Sequence, residues 1–399
     1  MLQALCNTNG DLTPTVHLLE PNTGASLATL ALPKGGLFGG VYGYLDDADR
    51  MVVVDGGSNL VRIAHDRGGP NHSWRLSITQ STPIQQTVEQ FCGSPGCDRV
   101  SSLMPDYSGK VWFATAGGSA GIVDTTTGVS HAIKLGTDEQ VANSISTAPQ
   151  GMSVATDHAL YQLDLDPDGK PRILWRQSYD RGPARKPGQL SHGTGASPTY
   201  FGPQDGAEYV AITDNAAPTE KLLVYDTTDG NLICSVPASN GTEISPVGSG
   251  NSVFVASTYG YPYPALPAGA EPSVPPSADF TGGMGRIDVQ PNGRGCATTW
   301  TNHVRSTAVP KLSLEENKIY TISRIAPNDR TLPRSGDRYA YTVINARTGQ
   351  VESTQPIGSG SSANTLQLAG NITRNSVLFQ GTVSGIYRIE TISARHRSP

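Results

Sequence analysis

Seven short runs rich in β-branched and apolar residues recur along the chain: MVVVD at 51–55, VWFATA at 111–116, MSVATD at 152–157, YVAITD at 209–214, VFVAST at 253–258, IYTISR at 319–324 and VLFQGT at 377–382. Their mean spacing is about 54 residues, just above the 20–50-residue periods typical of repeat architectures. Such a unit cannot bury its apolar face alone, so the recurrence requires like units stacked on one another.

About ten residues before most of these runs lies a segment of small and polar residues, often with Pro: SSLMP at 101–105, NSISTAP at 143–149, GASPTYF at 195–201, TEISPV at 242–247 and STAVPKL at 306–312. It reads as an innermost strand, A, with the seven runs as strand B. Small residues suit a strand crowded around an axis. A third strand, C, follows and ends in an acidic or amide turn closed by Gly, as in VDTTTG at 123–128, LDPDG at 165–169, YDTTDG at 225–230, DVQPNG at 288–293 and INARTG at 344–349. Asp, Asn and Gly supply the Asx turns and positive φ that reverse the chain there. A fourth strand, D, comes next in RILWRQ, LICSVP and CATTWT.

Four strands per period describe a propeller blade. The expected fold is therefore all-β, a single domain over residues 1–399: a seven-bladed β-propeller of four-stranded antiparallel blades. Residues 363–390 supply only strands A, B and C of the last blade. An N-terminal strand, from TVHLLEPNTG or ASLATLAL at 15–32, is expected to complete it and close the ring. The surplus strand leaves eight blades as the alternative.

Composition agrees. Gly 45, Pro 29 and a charged fraction of only 16% favour many short strands joined by tight turns over long helices. The formal charge of −5 builds no basic face, which argues against a nucleic-acid partner. No apolar run reaches the roughly 20 residues that span a bilayer, so no membrane partner is expected.

The order of β run, Asp-x-x-x-Gly turn and outer strand bearing Trp resembles the repeat of the quinoprotein alcohol dehydrogenase-like (PQQ-like repeat) β-propeller superfamily, most closely in KLLVYDTTDGNLICSV at 221–236. In that family's catalytic members the resemblance implies a pyrroloquinoline quinone between a Trp and a disulfide of adjacent cysteines, with calcium nearby. This chain has no adjacent Cys pair, so no PQQ is expected. Trp74, Trp112, Trp175 and Trp300 read as packing residues.

Cys92 and Cys97 enclose a Gly-Ser-Pro-Gly turn and are expected to be joined. Cys234 and Cys296 read as plain buried residues, and Cys6 is left over. The expected disulfide favours a secreted or periplasmic protein whose leader has been removed, with the cytoplasm the alternative.

In a propeller, D-to-A and B-to-C connections share one face. The long connections at 81–98, 180–195, 259–283 and 325–338 all belong to these two kinds, and loops of that length commonly build a site. The residues at the axial ends of strands A and B on that face are the candidates. His192, Glu243, Arg305 and Arg324 are candidate catalytic groups, with His192 as acid or base and an Arg neutralising a carboxylate, as expected of a lyase. Asp214, Asn215 and Asn143 offer oxygen ligands for a divalent cation such as Ca, as expected of a hydrolase. Tyr42, Asp55, Asp157, Tyr259, Tyr261 and Asn364 are the expected lining of a substrate pocket. The expectation is thus an axial pocket for a small-molecule or carbohydrate ligand in a non-quinone hydrolase or lyase; the alternative is a non-catalytic propeller binding a ligand or protein through the same face.

Overall fold

The computed structural model describes residues 1–7, 11–35, 42–267, 269–326, 331–373 and 376–390. Among them the strands form eight consecutive antiparallel sheets, six of four strands and a three-stranded sheet at each end of the chain. The protein is an eight-bladed β-propeller.

Every one of the seven B runs is the second strand of its sheet, from Met51–Val54 in the second sheet to Val377–Thr382 in the eighth. The count of seven is corrected by the N-terminus. Leu2–Asn7 pairs with Pro14–Leu19, which pairs with Ser26–Ala31, so the segment read as one closing strand plus a spare is a blade of its own. No pairing joins these strands to the eighth sheet among the described residues.

The small polar residues of strand A tie blade to blade. The Ser144 amide donates to Ser197 Oγ and the Ser197 amide to Ser245 Oγ, each at 3.0 Å. Ser146 Oγ donates to the Pro198 carbonyl at 2.6 Å and Thr199 Oγ1 to the Pro246 carbonyl at 2.8 Å. Short strands near the axis leave backbone groups without ladder partners, and these hydroxyls satisfy them at a spacing no larger side chain would permit.

At the periphery the outer-strand tryptophans grip the next blade. The Trp175 indole N–H donates to the Thr227 carbonyl and the Trp300 indole to the Ala346 carbonyl, both at 3.0 Å. Each ring lies flat on the glycine that closes the neighbouring turn: a Cβ at Gly230 or Gly349 would stand 2.7 or 2.5 Å from the indole. Those glycines also need positive φ, +72° and +74°. One residue type thus meets two demands, chain reversal and a flat seat for Trp.

Both sulfur pairs are bridged. Cys92–Cys97 is closed as expected, with Cα atoms 6.0 Å apart. Cys234–Cys296, read as two plain buried cysteines, is a second disulfide joining the outer strands of the fifth and sixth sheets. A bridge spanning 62 residues is worth about 4 kcal/mol in the chain-entropy account. Cys6 is free and exposed. No helix among the described residues is long and apolar enough to cross a membrane.

Candidate functional site

Three of the four long connections meet on one face. The Gly260 amide donates to the Pro187 carbonyl at 3.0 Å, and Arg185 Nε to the Glu271 carbonyl at 2.7 Å, joining 180–195 to 259–283. The Phe280 amide then reaches the Thr331 carbonyl at 3.1 Å, joining that loop to 325–338. The fourth, 81–98, lies over the B-to-C turns of the second and third sheets, where the Ile84 amide bonds the Ser58 carbonyl and Asp98 Oδ1 accepts the Gly117 amide at 2.7 Å.

Tyr259–Tyr263 carries the centre of this arrangement. Tyr261 is buried, packed edge-on against Tyr263 at 4.8 Å and Phe280 at 5.5 Å. Its hydroxyl donates to Asn364 Oδ1, and that of Tyr263 donates to Gln367 Oε1 at 2.7 Å. The sixth sheet's insertion thus spans to the eighth. Tyr259, half-buried, covers Gly241.

Glu243 heads the sixth sheet's inner strand and retains some water contact, yet protein surrounds it. Its Oε2 accepts the Leu190 amide at 3.0 Å. Burial pushes its pKa up to about 8, only partly offset by that bond and by the charge of Arg185. The carboxyl is therefore mainly neutral at pH 7. Tyr42 is raised to about 12 by burial and then by Glu243, and Tyr263 is raised well above the tyrosine range by burial and then by Glu243, Tyr261 and Tyr42. Tyr42 belongs to the second blade and Glu243 to the sixth, half a ring away in eight, so the influence of Glu243 on Tyr42 reaches across the ring.

Gln367 adds a donor. Its Nε2 is buried without a hydrogen-bond partner, and it follows Leu366 in a left-handed pair, φ +52° and +60°. Two successive non-glycine residues in that region store strain of the kind concentrated at functional sites. Arg324 is also close, since its charge opposes the rise at Tyr261. Its Nε and Nη2 bond Asp337 Oδ2 at 3.0 and 2.9 Å, while Nη1 is buried without a partner. Arg305, half-buried, lies alongside, its carbonyl accepting the Arg324 amide at 2.8 Å.

The other candidates hold the loops in shape. His192 Nε2 donates to the Arg181 carbonyl at 2.9 Å, and its Nδ1 stands 3.2 Å from Arg181 Nη2 and 3.3 Å from Glu271 Oε2. Arg181 also pairs with Asp157 at 3.1 Å, and Asp157 with His158 at 2.9 Å. Asp214 Oδ1 accepts the Ala216 and Lys221 amides; Asn215 Nδ2 donates to the Arg181 and Ala184 carbonyls and its Oδ1 accepts from Gln189. Both are buried, with those donor and acceptor atoms engaged by protein, and Asn143 is half-buried in a different blade. This set does not converge as ligands of a hard cation, and among the described residues no three His, Cys, Asp or Glu are grouped to hold a metal. Asp55 Oδ1 accepts the Gly57 and Asn59 amides within its own turn, beside a hollow of about 300 Å³ that Glu89, Cys97 and Asp98 also line.

Sequence reasoning missed Tyr263, Gln367 and Arg185. Tyr263 was within sight, two residues beyond Tyr261 in the same string; Gln367 carries no local signal, because its role comes from an unusual backbone turn.

Neither a family model nor a curated protein matches this sequence. Solved structures do match in shape. The WD40 domain of Toxoplasma gondii coronin is similar with a TM-score of 0.52 at 12% identity, over 90% of this chain and 78% of that one. A chain of a mitotic checkpoint complex is similar with a TM-score of 0.50 at 10% identity, over 88% and 89%. BamB from Moraxella catarrhalis has a TM-score of 0.44 at 13% identity, over 87% and 97%. The likeness is one of fold. It leaves activity to be argued from the site.

Proposed function

We propose that this chain is a binding propeller that takes a neutral, hydroxyl-rich ligand of carbohydrate type at the axial mouth of its loop-bearing face. The observation that carries this reading is Glu243, a carboxyl whose pKa is raised by burial among Tyr42, Tyr261 and Tyr263, with the amides Asn364 and Gln367 completing the group. Such a set offers donors and acceptors with little net charge, and the half-buried Tyr42 and Tyr263 offer ring surface of the kind that stacks on sugars, with Tyr261 packed beneath as support. The two disulfides fit an oxidising compartment, and we place the protein there as a secreted or periplasmic binder. The repeat resemblance to quinoprotein-like propellers is part of the same proposal, on the strength of the Trp-on-glycine contacts between blades.

Calorimetric titration with a panel of neutral oligosaccharides tests it. Glu243→Ala and Tyr263→Phe are expected to weaken binding at least tenfold, and Glu243→Gln, which mimics the protonated acid, to preserve it. Affinity indifferent to all three substitutions would sink the proposal.

An enzyme reading has one observation in its favour: an acid raised to about 8 suits proton donation to a glycosidic oxygen at neutral pH. Hydrolysis by paired carboxylates also needs a second, ionised carboxylate, whereas the charge that offsets the burial of Glu243 is a cation, Arg185. Release of reducing ends or of an unsaturated sugar during the titrations, abolished by Glu243→Gln, would favour the enzyme over the binder.

A further inference from the structure

We propose a second binding site on the opposite, A-to-B-turn side of the inner strands: an apolar cavity that takes a small amphiphilic anion, such as a medium-chain carboxylate, with Lys311 as its counter-charge.

The cavity measures about 450 Å³ and lies among the inner strands of the fifth, sixth and seventh sheets. This is within the range of small-molecule pockets. Pro246, Val247, Val309, Leu312 and Leu314 supply most of the wall, and Leu314 is largely exposed at its edge. Lys311 is the one charged residue lining it, at the start of the inner strand Lys311–Ser313. Burial alone pushes its ammonium below the usual lysine range, and no carboxylate among the described residues pairs with it.

Lys311 is half-buried, and an ammonium beside a mostly apolar, open hollow is less well hydrated than one on an open surface, a cost that an anionic partner would offset. Here the structure provides open volume in place of such a partner. A ligand carrying one anionic head and an aliphatic body would satisfy both features of the recess, its head beside Lys311 and its body against the valines and leucines. A neutral sugar would leave the ammonium uncompensated, and a polyanion would leave charges facing hydrocarbon. The site shares no residue with the Glu243 cluster, so it stands or falls independently of the proposal made for that face.

Calorimetry with octanoate and with octanamide as its neutral counterpart tests the assignment on the full chain. The wild-type protein is expected to bind octanoate at least tenfold more tightly than octanamide. Lys311→Met should abolish that preference and Lys311→Arg retain it, each with a thermal midpoint near that of the wild type. Ser249→Phe, which places a ring at the polar edge of the cavity, should weaken both ligands. Failure of the wild type to bind octanoate, equal affinity for octanamide, or an unchanged preference in folded Lys311→Met would each overturn the proposal.

Discussion

Glu220 and Glu243 are both deeply enclosed glutamates whose pKa values are raised by burial, and they differ in what surrounds the carboxyl group. Glu220 is fully buried at the start of the fifth sheet's third strand, with Lys186 Nζ 3.6 Å away, Gln189 Nε2 at 3.1 Å and Ser239 Oγ at 3.3 Å. Gln189 also bonds Asn215 and the Thr242 carbonyl, and Lys186 Nζ bonds the Ala216 carbonyl. That network pins the 180–195 connection to two blades. Glu243 has one backbone amide, residual water contact and a ring of tyrosines. The same residue type is a structural rivet in one place and a hydrogen-bonding group facing the axis in the other. Saturation of its partners makes the difference.

The largest expected effect comes from breaking the saturated member. Lys186→Met leaves Glu220 buried beside Asp214 with no cation, and should destabilise the fold by about 3–5 kcal/mol, read as a shift in denaturant midpoint. Adding Glu220→Leu removes the stranded acid and should restore a large part of that loss. If the single substitution costs less than about 1 kcal/mol, the network is not what secures the loop.

Glu243 is expected to show itself through pH. Its folded-state pKa is raised, so between about 4.5 and about 8 the folded protein holds a proton that the unfolded chain has released. Its contribution is therefore complete below about 4.5 and declines as pH rises through about 8. Allowing for its residual water contact, the decline should be on the order of 2 kcal/mol. Glu243→Gln should remove that part of the pH dependence while changing stability at pH 6 by less than about 1 kcal/mol. Identical pH profiles for the two proteins would contradict the burial argument.

The smallest effect is expected at His192. Its ring joins Arg181 and Glu271 on the loops. His192→Ala should cost about 1 kcal/mol from lost hydrogen bonds and leave oligosaccharide affinity within twofold. A hundredfold loss of binding would return His192 to the functional group.

Local pattern revealed the blades because each B run is largely buried and carries its own signature of Val, Ile and aromatic residues. It held the first blade only as the eight-blade alternative, which the structure bears out, because Leu2–Asn7 is a partly exposed strand with weak alternation. It missed Cys234–Cys296 for a different reason: the pairing depends on two outer strands from neighbouring sheets lying side by side, a relation between blades that spacing along the chain does not encode. Strand order grouped Glu243, Tyr42, Tyr261 and Asn364, and the structure brings Tyr261 to Asn364 and Tyr42 within the electrostatic reach of Glu243. Strand order also grouped Asp157, His192, Asp214 and Asn215 with them because it places strand ends, and cannot see which polar atoms neighbouring backbone has already engaged.

The protonation state of Glu243 is the most direct test of the whole account. Infrared difference spectra between wild type and Glu243→Gln, recorded across pH, report a neutral carboxyl as a carbonyl stretch well separated from that of carboxylate. A protonated band that persists at pH 7 and vanishes near pH 8 is the expected result. Its loss near pH 4.5 would mean that Glu243 is an ordinary solvated carboxylate, and the neutral binding site proposed around it would not exist.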